Sequence, residues 1–160
     1  TATRARAFGL SIAYHSRRRA DPAVEAALDA VYVGSLEELA ATSDVLSLHC
    51  PGGAATRHLV NAHLLACMKP TSILVNTARG SVVKDDDLAA ALKDGTIAAA
   101  GLDVFDGEPA VNPALIGLPN AVLLPHLGSA TLETRTAMGM RVAANLERFF
   151  AGGAPHDRVA

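Results

Sequence analysis

The sequence contains no tryptophan, and aromatic residues make up only 4% of it. That poverty argues against a β-sandwich whose core is rich in Tyr and Trp. Basic residues are not in surplus: 14 Lys and Arg stand against 16 Asp and Glu, for a formal net charge of -2. Wholesale binding to a phosphate backbone needs such a surplus, so nucleic acid is not an expected partner. Only two cysteines occur, Cys50 and Cys67, and they form no C-x-x-C pair. They read as free thiols of a reducing compartment, which points to the cytoplasm. No apolar run is long enough to cross a membrane, and Thr1–Ala7 has no apolar signal-peptide core. His58 and His63, or His49 beside Cys50, do not make a recognised zinc spacing, so no metal site is expected. Ser47 and Ser129 lack the setting of a hydrolase nucleophile. No internal repeat or low-complexity segment occurs beyond a bias to alanine.

What remains is a chain of 160 residues, about one domain by length. It is 50% hydrophobic, but 32 of its residues are alanine, so the core of large side chains is thin. Ala-rich, aromatic-poor composition suits helices packed closely on a sheet. Short apolar runs recur at Leu10–Tyr14, Val31–Val33, Val45–His49, Ile73–Asn76, Ile97–Val104 and Val122–Leu124. Continuous rather than alternating apolar character predicts strands buried on both faces. Helix signals lie between them. Ser35-Leu36-Glu37-Glu38 is a capping box, and Asn61 can cap a helix through Met68 that Pro70 closes. Asp85-Asp86-Asp87 opens a helix that stops at Asp94-Gly95. A last helix is expected from about Thr131 to Phe150, with Met138, Val142, Leu146 and Phe149 or Phe150 as its core-facing stripe, and Met138 and Met140 in core or domain packing.

Alternation of strands and helices implies right-handed βαβ crossovers and an α/β fold, an open doubly wound parallel sheet covered on both faces. Sites in such sheets lie at the carboxyl ends of strands. There the sequence places His15-Ser16-Arg17-Arg18-Arg19, His49-Cys50-Pro51, Asn76-Thr77-Ala78-Arg79-Gly80, Asp103 with Asp106-Gly107-Glu108-Pro109, and Pro125-His126-Leu127-Gly128-Ser129. An Arg, an Asp, a Glu and a His thus fall at one expected edge.

The strings Ser47–Pro51, Asn76–Gly80, Gly101-Leu102-Asp103-Val104-Phe105, Glu108-Pro109 and Pro125–Thr131 resemble the D-isomer-specific 2-hydroxyacid dehydrogenases, over nearly the whole chain. Within that family the sequence is most similar to glyoxylate and hydroxypyruvate reductases. The resemblance implies a Rossmann-type NAD(P)-binding domain over residues 1–150 and, over 151–160, a segment returning to a substrate domain. It also exposes a departure. The family carries G-x-G-x-x-G after the first strand of this domain, and the 13 glycines here never take that spacing. Thr1–Leu10 resembles the second half of the helix after that loop. The first strand and its glycine-rich loop are therefore expected to be lacking. In a 3-2-1-4-5-6 order that strand is central, so its loss is expected to leave two open strand edges, weak NADPH binding, no turnover and a tendency to aggregate.

The family resemblance assigns roles residue by residue. His126 is the implied acid, a side chain that gives or takes a proton near neutrality. Glu108 is its implied carboxylate partner, fixing the tautomer and favouring the protonated ring. Arg79 is the implied anchor for the substrate carboxylate, through a planar fork that Lys lacks. Asp103 is implied to hold the nicotinamide end of the cofactor, Thr77 and Ala78 its ribose, Cys50 and Pro51 the adenine side, and Gly128 and Ser129 the nicotinamide; Arg79 and His126 also border it. Read without the resemblance, each could be structural: a strand-end His bonded to backbone, a turn Glu before Pro109, a solvated Arg, or an Asp capping backbone N–H groups.

Cofactor choice has a physical argument of its own. Domains that prefer NAD place Asp or Glu after the second strand of the fold, where it accepts from the ribose 2′-hydroxyl. Here that place reads Ser16-Arg17-Arg18-Arg19, with no carboxylate until Asp21. Arginines with a Ser hydroxyl suit a 2′-phosphate, so Ser16, Arg17 and Arg18 are expected to select NADP, with NAD possible. The expected protein is an NAD(P)H-dependent reductase of a small 2-oxo acid such as glyoxylate or hydroxypyruvate, a homodimer when intact. The alternatives are a corepressor-like module that senses the dinucleotide, and an inactive truncated fragment.

Overall fold

The structure is a computed structural model, and it describes residues 1–159; Ala160, the last residue of the expected return segment, lies outside the described residues. Its elements run α1 (Ala2–Ala7), β1 (Ile12–Tyr14), α2 (Pro22–Leu28), β2 (Ala30–Tyr32), α3 (Leu36–Thr42), β3 (Val45–Leu48), α4 (Ala62–Cys67), β4 (Ile73–Asn76), α5 (Asp85–Lys93), β5 (Ala99–Leu102), β6 (Ala121–Leu123) and α6 (Leu132–Phe150). Every expected strand and helix is present, most with trimmed ends. The caps explain the boundaries. Ser35 accepts from the Glu38 N–H at 3.1 Å, and Asn61 accepts from the N–H groups of His63 and Leu64. Thr131 accepts from the Thr134 N–H. Each satisfies donors that the first helical turn leaves without a partner. The α5 start carries three Asp at its positive end, and Gly95, at φ +72°, takes the left-handed conformation just beyond its C-terminus.

All strand pairs are parallel, which gives an α/β architecture of Rossmann type. The pairs form two sheets, β1-β2 and β3-β4-β5-β6, which leaves open strand edges as expected. In the larger sheet Leu48, Asn76, Leu102 and Leu123 stand in one row, so four strands end together. Among the described residues, β1 and β3 each keep one edge without ladder partners.

The expectation of strands buried on both faces also needs correction. Leu46, Leu48, Leu74, Ala100 and Leu102 point into a core closed by Leu39 and Ala40 of α3, Leu64 and Leu65 of α4, and Leu88, Ala89, Ala91 and Leu92 of α5. On the opposite face Val45, Ile73 and Val122 are exposed, Val122 by 63%. The helices α1 and α2 bury no residue, so they supply no cover there. Apolar character marks strand residues well but does not say which face a helix reaches.

Contacts divide the chain into a unit of Thr1–Leu124 and a second unit that begins at Pro125. In the second, the segment after α6 is tied back onto it by polar bonds. Asp157 receives a two-pronged ion pair from Arg141 at 2.6 and 2.7 Å and a bond from Asn145 at 2.7 Å. The helix buries none of its residues, and its expected core stripe of Met138, Val142, Leu146, Phe149 and Phe150 is exposed, as is Met140. The apolar residues keep helical spacing, but the stripe is not covered.

The one-sided core makes a direct prediction. Leu74→Ala, in the fully buried face, should cost about 2–5 kcal/mol in urea unfolding. Val122→Ala, on the open face, should stay within about 0.5 kcal/mol. Equal losses would contradict burial on one face alone.

Candidate active site

The common end of β3, β4 and β5 carries three loops, residues 49–53, 77–80 and 103–108. Asn76 shapes the middle one. Its side chain is fully buried at the end of β4, accepts from the Ala78 N–H at 3.0 Å and donates to the Arg79 carbonyl at 3.1 Å. Its main-chain carbonyl accepts from the Asp103 N–H at 3.0 Å. One residue therefore folds the turn that ends in Arg79 and ties it to the start of the Asp103 segment. A buried amide can hold both partners because it is donor and acceptor at once. Sequence reasoning took Asn76 only as a strand end; a polar residue closing an apolar strand was the available signal.

Backbone contact joins the same two loops. A Cβ on Gly80 would lie 1.8 Å from the Phe105 carbonyl carbon and 2.4 Å from the Asp106 nitrogen. Only a residue without a side chain lets the Arg79 turn lie against this peptide. The third loop touches the second through Arg79 itself, whose Cγ is 2.9 Å from where a Gly52 Cβ would stand. Arg79 is exposed beyond that point, and its guanidinium donates to the Ala78 carbonyl at 2.6 Å. Thr77 is exposed beside buried Ala78, and Cys50 is half-buried next to exposed Pro51. Asp103 is buried. Glu108 lies on the exposed part of its loop and accepts from the Phe105 N–H at 2.9 Å, which folds 105–108 into a tight turn.

The structure thus gathers Arg79, Asp103 and Glu108 at one sheet edge. It does not put every expected residue on that sheet. Ser16, Arg17 and Arg18 follow β1 and belong to the smaller sheet's end. His126, Gly128 and Ser129 lie in the second unit; His126 takes a left-handed backbone conformation at φ 55°, and Ser129 is half-buried.

Sequence reasoning missed the support beneath the 103–108 loop. Asp106 forms an ion pair with Arg57 and meets the His58 Nε2, each at 3.2 Å. The backbone around His58 is held in turn by residues 81–84: the His58 N–H donates to the Ser81 carbonyl at 2.8 Å, and Val60 bridges Val83. Asp85, the first residue of α5, is buried. Burial first, and then the Asp106 charge, push its carboxyl up to about 6, against the opposing pull of the Asp106 N–H and of His58. The run Asp85-Asp86-Asp87 reads as a helix start in sequence, and only packing separates the buried member from its neighbours. Among the described residues no group of three His, Cys, Asp or Glu could hold a metal ion, and no helix is long and apolar enough to cross a membrane.

Asp85 gives this region a measurable pH signature. The folded state holds its proton more tightly than the unfolded chain does, at about 6 against an ordinary 3.8. Stability therefore falls as pH rises from about 4 to about 6 and is lowest above that range. Asp85→Asn removes the titrating group while keeping an acceptor for Asp106. In urea unfolding across pH it should flatten that slope; a slope as steep as in the wild type would assign it to another group.

Comparison with known proteins places this arrangement in context. The family profile described as the NAD-binding domain of D-isomer-specific 2-hydroxyacid dehydrogenases matches residues 1–128. A glyoxylate reductase of Thermococcus litoralis is 48% identical over 158 residues, covering 99% of this chain and 47% of that protein. A 4-methyl-2-oxopentanoate reductase A of Aspergillus oryzae is 46% identical over 145 residues, covering 91% of this chain and 43% of that protein. Among solved structures, the NADPH-dependent glyoxylate/hydroxypyruvate reductase of Sinorhizobium meliloti in complex with NADP and malonate superposes with a TM-score of 0.90 at 43% identity, over 99% of this chain and 48% of that one. The chain spans about half the length of the curated relatives it matches. With its parallel strands, its three loops at one edge and these matches, the chain belongs to the D-isomer-specific 2-hydroxyacid dehydrogenase family and carries that family's NAD-binding domain sequence.

Proposed function

We propose that the protein carrying this chain reduces a small 2-oxo acid, glyoxylate or hydroxypyruvate, to the D-2-hydroxy acid with NADPH. The observation that carries this reading is the joint presentation of Arg79, Asp103 and Glu108 at one strand-end edge by Asn76 and Gly80. Similarity to enzymes named as glyoxylate reductases supports the substrate class. A nicotinamide cofactor supplies the hydride for C2. Arg79 holds the substrate carboxylate through parallel N–H donors, which fixes the 2-oxo group for attack. His126 gives the proton to the carbonyl oxygen, so hydride and proton together yield the hydroxyl. Glu108 has the role of favouring the protonated imidazole, and Asp103 with Thr77 and Ala78 that of holding the nicotinamide ribose end. Gly128 and Ser129 border the nicotinamide, and Cys50 and Pro51 the adenine side.

The loop after β1 fits a 2′-phosphate. Arg17 and Arg18 are exposed, and neither makes an ion pair or a side-chain hydrogen bond among the described residues. The first carboxylate of the loop, Asp21, is already used to cap α2 by accepting from the Ala23 N–H at 2.7 Å. Ser16, Arg17 and Arg18 therefore form the NADP-selecting group, and NAD is the weaker cofactor. The same reading makes residues 1–150 the nucleotide-binding domain, 151–160 a segment toward a substrate domain, and the protein a cytoplasmic homodimer.

Two experiments on the native protein test this. NADPH oxidation should occur with glyoxylate or hydroxypyruvate, and Arg79→Lys should lower kcat/KM about a hundredfold, as expected when a charge-assisted fork worth ~2–3 kcal/mol is lost. Wild-type kcat/KM in Arg79→Lys would remove Arg79 from the site. Arg17→Ala with Arg18→Ala should raise the NADPH KM by about tenfold or more while leaving the NADH KM nearly unchanged. Equal effects on both cofactors would end the NADP assignment.

A further inference from the structure

The loop that follows β1 contains three consecutive arginines, and the structure does not treat them alike. Arg19 is engaged: its Nε and Nη2 donate to the two oxygens of Glu25 at 2.8 and 2.9 Å. Its guanidinium also lies 5.5 Å from the centre of the Tyr32 ring, within range of a cation–π contact. Glu25 stands in the first turn of α2 with its side chain only 11% exposed. It accepts a further bond from the Tyr14 hydroxyl, and that hydroxyl accepts from the Ala20 N–H at 2.8 Å. The carboxylate of Glu25 therefore anchors the downstream end of the loop twice, at Arg19 directly and at Ala20 through Tyr14.

The upstream end is anchored separately. His15 bonds the Val33 carbonyl through Nδ1 at 2.9 Å, its ring stacks on Tyr32, and the Tyr32 hydroxyl donates to the Ser16 carbonyl at 3.4 Å. Tyr14 and Tyr32 meet edge to face, with ring centres 5.4 Å apart, and so couple the two anchors. Between them, Arg17 and Arg18 are the two residues without such a tie.

We propose that Glu25 is a positioning residue for dinucleotide selectivity: by clamping Arg19 and, through Tyr14, the Ala20 backbone, it holds Arg17 and Arg18 as a short preformed arch for a ribose 2′-phosphate. This rests on the NADP reading above and adds to it a residue outside the arginine cluster. Two physical effects follow from the geometry. The loop is ordered before the ligand arrives, so less conformational freedom is lost on binding. Glu25 is matched by Arg19, so it does not repel a phosphate or accept from a 2′-hydroxyl as an NAD-selecting acid would. The pairing is mutual: Arg19, and then the Tyr14 hydroxyl, keep Glu25 ionised below the usual carboxylate range, and Glu25 raises Arg19 further. Arg19 is thereby a clamp and not a phosphate ligand.

The test uses adenosine 2′,5′-bisphosphate and adenosine 5′-monophosphate as probes, titrated by calorimetry into the full protein, because they report the 2′-phosphate contact without hydride transfer. The wild type should bind the bisphosphate more tightly than the monophosphate. Glu25→Gln should weaken the bisphosphate about five- to tenfold, the scale of reordering a few side chains, and leave the monophosphate unchanged. Arg19→Lys keeps the charge but loses the fork; it should show the same loss, and the double variant no more than either single one. Glu25→Gln binding the bisphosphate as tightly as the wild type, or both probes weakening equally, would overturn the clamp. Losses that add in the double variant would overturn it by making Arg19 a direct ligand. A wild type without preference for the bisphosphate would instead remove the NADP reading on which the clamp rests.

Discussion

The candidate site depends on one buried side-chain amide. Asn76 closes β4, where a fully apolar residue would leave the next turn without partners and a charged one would have to be desolvated. Its amide satisfies one donor and one acceptor of the 77–79 turn, and its carbonyl reaches the Asp103 N–H on the neighbouring strand end. The position of Arg79 relative to Asp103 is therefore set by hydrogen bonds within the sheet's own register. The Gly80 contact with the Phe105 peptide then brings the following loop into place. Backbone packed against backbone is stiffer than a contact between long side chains, so the turn that ends in Arg79 is held in one place against the Phe105 peptide.

Across the chain, charge is managed by pairing. Asp106 is matched by Arg57, Glu25 by Arg19, and Asp157 by Arg141. Most of these pairs are at least partly exposed, so their direct contribution to stability is small. Their larger effect is geometric, since each fixes a loop end. Asp85 is the exception: buried beside another carboxylate, it titrates at about 6 and makes the loop's support sensitive to proton concentration.

The sheet has an unequal pair of faces. Leucines of β3, β4 and β5 meet α3, α4 and α5 in one core, while Val45, Ile73 and Val122 remain open to solvent. The separation of β1-β2 from the four-stranded sheet and the uncovered stripe of α6 are of the same kind. Each is an apolar surface or strand edge that local sequence forms and that packing among the described residues does not cover.

The local physics of the chain was readable without coordinates. Apolar runs located all six strands, because strand residues must shed water wherever they pack. Ser35, Asn61 and Thr131 marked helix starts, because unpaired N–H groups at a helix end demand a nearby oxygen. The strand-end rule led to Arg79, Asp103 and Glu108 for the same reason that the four strands end in one row. Tertiary structure decided what depends on residues far apart in the chain. It left one face of the larger sheet open and singled out Asp85 from three neighbouring aspartates by burial. It also bound Arg19 to Glu25 while leaving Arg17 and Arg18 between two anchored ends. Hydrophobic spacing and capping are properties of a few consecutive residues. Burial and ion pairing are properties of whichever groups the folded chain brings within a few ångströms, and no local pattern encodes that choice.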